Sequence, residues 1–95
     1  MSLCTAIKGR RLISFVYKDH KRVVIPAAHG THKTTGNAVL KGHQIRGTSS
    51  SRAVPLWALF VENKMQDLQV LDETFVADPP QYTRGDNLIN ICCEL

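Results

Sequence analysis

The residues best suited to chemistry are Lys41, His43, Gln44, Arg46, Ser49, Ser50, Ser51 and Arg52, with Tyr17 and Lys64 from elsewhere in the chain. Together they suit an anion site. Arg and Lys supply charge for a phosphate, and serine hydroxyls and loop N–H groups supply further donors. Tyr17 and His43 can stack on a base. One geometric constraint applies at once. On a strand, Lys41, His43 and Ile45 share one face and Gly42, Gln44 and Arg46 the other, so the set lines one surface only if a bulge intervenes. The competing reading is ordinary solvated strand residues beside a polar serine loop.

Other constellations point to less. His29-Gly30-Thr31-His32 offers two imidazoles, but zinc takes three or four ligands. Cys92 and Cys93 are adjacent, hence point apart when extended, and the chain has no CxxC. No metal and no cofactor is expected. The cysteine count is odd, with Cys4 as the third. Reduced thiols are the simplest account, with Cys4 and one of the vicinal pair packing as small hydrophobes. No GxSxG, no Cys/His nucleophile signature and no paired carboxylates occur, so the chain does not read as an enzyme. Arg84-Gly85-Asp86 reads as a turn, with Asp86 available to cap a helix. Trp57 and Phe60 are large apolar anchors, and an exposed Trp57 would mark a partner surface.

The elements that must position these groups are short. Residues 3–10 read as a helix, with Leu3, Ala6 and Ile7 at helical spacing, Ser2 as cap and Gly9 near the end. Arg11–Tyr17 alternates as a strand, with Ile13, Phe15 and Tyr17 on one face. Lys18–Lys21 makes a turn and Arg22–Ile25 a returning strand, which Pro26 limits. His29–Asn37 reads as a loop. Ala38–Ile45 is a third strand, and its interior Gly42 marks a bulge, a bend or a close backbone approach. Gly47–Pro55 is a polar loop, Leu56–Val61 a fourth strand and Leu68–Leu71 a fifth. Pro79-Pro80 stops regular structure. The stretch from Leu88 to Cys92 fits a last helix, with a final strand as the alternative. Five short strands with frequent turns suggest a small curled sheet or barrel.

Ninety-five residues make one domain, 1–95, with an ordinary hydrophobic fraction of 43%. No apolar run approaches a membrane span and no signal-peptide core is present, so a cytoplasmic protein is expected. The net charge of +4 conceals an asymmetry: residues 1–52 carry ten Lys/Arg against one acid, and residues 53–95 carry two against seven. Such polarity allows a basic binding patch.

Ala6-Ile7-Lys8-Gly9-Arg10-Arg11-Leu12-Ile13-Ser14-Phe15-Val16-Tyr17 resembles the opening of a WYL domain. Arg22–Pro26, Gly36–His43, Phe60–Met65 and Leu68–Phe75 resemble its later elements, in order, over about residues 6–76. The resemblance implies an Sm-like, SH3-type five-stranded barrel with a short N-terminal helix, followed here by a C-terminal extension over 77–95. It also implies an effector-binding or nucleic-acid-binding module of the kind found in bacterial transcription regulators and defence systems. The family's name-giving Trp and Tyr are Ala38 and Val39 here, with Leu40 kept, and family arginines become Ala58, Val61 and Lys64. Those positions help form the family's basic pocket, so a different ligand contact set is implied, with the Gly47–Pro55 loop as a source of replacement groups.

The function expected from all this is a non-enzymatic ligand-binding or regulatory module for a nucleotide, another anionic effector or a short nucleic acid. Two alternatives stand beside it: a sequence-independent single-strand binder, and a protein-interaction subunit or homodimer using Trp57 or an open sheet edge.

Overall fold

The computed structural model describes residues 3–49, 53–82 and 84–95. Among these residues helix α1 (Leu3–Lys8) precedes six strands: β1 (Arg11–Tyr17), β2 (His20–His32), β3 (Ala38–Gly47), β4 (Leu56–Val61), β5 (Gln66–Thr74) and β6 (Ile89–Glu94). A single 3-10 turn, Glu62–Lys64, joins β4 to β5. The protein is mostly β, with one antiparallel sheet in the order β4-β3-β2-β1-β5. β4 and β5 remain the ends of this path, so the sheet is not closed.

β2 organises the sheet. One of its edges pairs with β3 from Arg22 to Thr31. Its other edge takes two partners in turn: β1 along His20–Val24, then β6 along Ala28–His32. Pro26, with no N–H to give, falls in the gap between them. The returning strand therefore runs past Pro26 and through His29–His32, where the sequence suggested a loop. The last segment is a strand, because β2 offers it an unfilled edge, and six strands replace the expected five. The C-terminal extension is thus part of the sheet.

The alternation read in β1 holds. Ile13, Phe15 and Tyr17 face the core, where Phe15, Tyr17 and Phe60 meet edge to face with ring centroids 5.0–6.3 Å apart. α1 closes this core with Leu3, Ala6 and Ile7, one helical face. Gly42 sits opposite Pro26 beside a register shift in β2, and a β-carbon there would collide with the Val24 side chain.

The thiol expectation needs correcting for two of the three cysteines. β6 runs along β2 against α1, which brings Cys4 and Cys93 to a Cα–Cα distance of 5.7 Å, and they form a disulfide. Cys92, the next residue on an extended strand, is exposed and free.

Candidate functional site

The segment between β5 and β6 folds back as a strap over the β3–β4 ladder. His43 of β3 lies directly across from Trp57 of β4, and Lys41 across from Leu59. The outer face of this ladder thus presents Lys41, His43 and Trp57 together, as strand alternation requires. The strap lays Tyr82 on Trp57, with ring centroids 6.0 Å apart and planes 21° apart. Trp57 Nε1 donates to the Pro80 carbonyl at 2.9 Å. Lys41 Nζ sits 5.8 Å from the Trp57 ring centroid and 5.9 Å from that of Tyr82, and is anchored to Asp86 at 3.3 Å.

The strap is tied down by two carboxylates. Asp86 Oδ1 accepts from the Leu88 N–H, two residues on, at 2.8 Å, which closes the turn over Asp86-Asn87-Leu88. That bond first, and Lys41 after it, hold the Asp86 carboxyl below its ordinary range. Glu94 Oε2 accepts from Gly85 N–H at 3.0 Å and from the Tyr82 hydroxyl at 3.1 Å. The Gly85 bond is the main reason its pKa is also lowered. Burial, with the Glu94 bond, pushes Tyr82 up to about 12.

Two cavities flank Trp57. One, about 530 Å³, is lined by His43, Ala53, Pro55, Leu56, Trp57, Pro80 and Gln81. The other, about 380 Å³, is lined by Lys41, Trp57, Ala58, Leu59 and Asp86. His43 forms the floor of the first. It is 6% exposed, its ring lies 4.9 Å from that of Trp57, and its buried Nδ1 has no hydrogen-bond partner among the described residues. Burial lowers its pKa, so the imidazole is neutral near pH 7. An unpaired buried nitrogen costs about 1–3 kcal/mol.

The remaining sequence-predicted residues lie elsewhere. Tyr17 is a core residue whose hydroxyl accepts from Val61 N–H at 3.2 Å. Gln44 is fully buried on the opposite face of β3 from His43. It accepts from Arg22 Nη1 at 3.2 Å and donates to the carbonyls of Arg46 and Thr48 at 3.1 and 3.0 Å. Arg46 is paired with Glu73 through both carboxylate oxygens at 2.9 Å. Ser49 is half-buried, and Lys64 is exposed in the 3-10 turn. Ser50, Ser51 and Arg52 lie outside the described residues. The structure therefore brings together Lys41, His43 and Trp57 and separates them from Tyr17, Gln44 and Arg46.

The charge asymmetry has an internal counterpart. Arg10 pairs with Asp78 (2.7 Å), Arg11 with Asp72 (3.1 Å), Arg46 with Glu73 and Lys41 with Asp86. Cations from the first half are matched by acids from the second. Sequence reasoning missed Pro80, Tyr82 and Asp86. The available signal was Tyr82 itself, an aromatic just past Pro79-Pro80 that needs a surface to cover. No known protein family, no curated protein and no solved structure matches this chain.

Proposed function

We propose that the chain is a non-enzymatic ligand-binding module whose effector carries a planar ring and an anionic group, a nucleotide being the nearest chemical class. The observation that carries this reading is the cavity lined by His43, Trp57, Pro55 and Pro80, with an aromatic and an imidazole side by side. Clefts of a few hundred Å³ with apolar walls and a few convergent polar groups are the usual form of small-molecule sites. A base edge can bond the neutral imidazole while its face lies against Trp57, Pro55 or Pro80. Ala53 and Pro55 line the same opening. The sequence resemblance to WYL domains points to the same class of function.

The single-strand-binding alternative is less favoured. Such binders need a continuous cationic groove, and Arg10, Arg11, Lys41 and Arg46 are each matched by an acid. A protein-interaction role has one observation of its own. Among the described residues β5 pairs only with β1, is exposed along most of its length and shows Leu68 to solvent, so its other edge can accept a strand from a partner.

Native mass spectrometry of the gently purified protein, before and after incubation with mixed nucleoside monophosphates, tests the reading. A one-to-one adduct that His43→Ala abolishes is expected. Unliganded spectra in both samples refute it and leave the β5 edge as the better account.

A further inference from the structure

Away from Trp57, three elements bring soft donor atoms to one place. α1 contributes Cys4, β2 contributes His29 and β6 contributes Cys93. Their two sulfurs and one imidazole nitrogen lie within 4.8 Å of one another, all on half-buried residues. His29 Nδ1 faces the sulfurs, 3.8 Å from Cys4 Sγ. Its other nitrogen, Nε2, is buried and lies 3.2 Å from Glu62 Oε1, out of line for a hydrogen bond.

We propose that the reduced form of this protein binds one zinc ion through the Cys4 and Cys93 thiolates and His29 Nδ1, with Glu62 accepting the proton of His29 Nε2. Donor type and arrangement support it. Two thiolates and an imidazole are a common zinc set, and three protein ligands leave the fourth tetrahedral position to water. Two thiolates also neutralise a divalent cation, so the half-buried site gains no net charge. A carboxylate on the far nitrogen of a ligating histidine fixes its tautomer and orientation, the usual partner in such sites. Glu62 needs only to swing into line, and the 3-10 turn that carries it is exposed on one side.

The disulfide and the metal are alternative fastenings of α1 to β6. A trialkylphosphine reductant converts one to the other. The phosphine attacks one sulfur and the S–S bond breaks. Water supplies the phosphine-oxide oxygen and the two protons of the resulting thiols. Zinc then replaces those two protons, which are released. Cys92, on the opposite face of β6, takes no part.

Cobalt(II) is the probe. Titrated anaerobically into phosphine-reduced full-length protein, it should give a thiolate-to-cobalt charge-transfer band that saturates at one equivalent and is displaced by zinc. Cys92→Ser should leave the band intact, and Glu62→Gln should weaken cobalt affinity about 10–100-fold. Cys4→Ser and His29→Ala should each diminish or abolish the band, with circular dichroism reporting whether the variant is folded. No charge-transfer band in the reduced wild type overturns the proposal, and that test needs no variant. A band lost with Cys92→Ser overturns the assignment of ligands.

Discussion

Replacing Gln44 by methionine tests how the site is held from behind. Gln44 is fully buried and makes three hydrogen bonds: one from the Arg22 guanidinium, and one each to the carbonyls of Arg46 and Thr48. Arg22 is itself 4% exposed, donates Nε to the Tyr17 carbonyl and lies over the Tyr17 and Phe60 rings at 5.4 and 5.6 Å. Burial lowers its pKa, a sign that the charge is kept at a cost. Methionine preserves volume and removes all three bonds. At about 1 kcal/mol for each neutral bond and about 1.5–3 kcal/mol for the charged one, the loss is about 3.5–5 kcal/mol. Urea denaturation should show a lower midpoint with an unchanged slope. The pair Arg22→Met with Gln44→Met should cost clearly less than the sum of the single changes, because a buried charge without its partner is worse than no charge. A Gln44→Met loss below about 1 kcal/mol, or strict additivity, would refute the reasoning.

Three further outcomes follow from the same structure. Acidification should loosen the strap. Asp86 and Glu94 have pKa values lowered by folding, so their stabilisation is complete above the ordinary carboxylate range and is lost as pH falls below it through their lowered folded-state values. Trp57 is the only tryptophan, so its fluorescence should report this transition, and Glu94→Gln should remove much of it. Gly30→Ala should destabilise by about 1–3 kcal/mol, because a β-carbon there meets Asn90 O and, at 2.7 Å, Ile89 Cγ2; amide exchange in β6 should rise first. Cys4→Ser with Cys93→Ser opens a crosslink spanning 89 residues, which in the chain-entropy account lowers stability by about 4–5 kcal/mol, read as a fall in the thermal midpoint.

How much of this was legible in the sequence varied by element. β1 could be read because Ile13, Phe15 and Tyr17 alternate cleanly and are β-branched or aromatic. α1 could be read because Leu3, Ala6 and Ile7 fall on one face. β6 could not, since Leu88, Ile89, Ile91 and Cys92 satisfy both a helical and an extended period, and only the vacant edge of β2 decides between them. Pro26 read as an end because an interior proline usually is one; here it marks a change of partner. The site was legible in Lys41 and His43, whose shared face is a matter of strand period. Gln44 and Arg46 were read as ligand groups because their side chains suit an anion, but their partners Arg22 and Glu73 are distant in sequence. Long-range ion pairs leave no local pattern. For that reason the sequence showed a basic first half but not that Arg10, Arg11, Lys41 and Arg46 pair with acids of the second half.

The claim that matters most is that a ligand occupies the cavity over His43. Amide and side-chain NMR of isotope-labelled protein, titrated with nucleoside monophosphates, tests it most directly. The account predicts saturable shifts concentrated on His43, Ala53, Leu56, Trp57, Gln81 and the Trp57 indole N–H. Absent shifts, or weak unsaturable shifts spread over exposed lysines such as Lys18, Lys21 and Lys64, would contradict it.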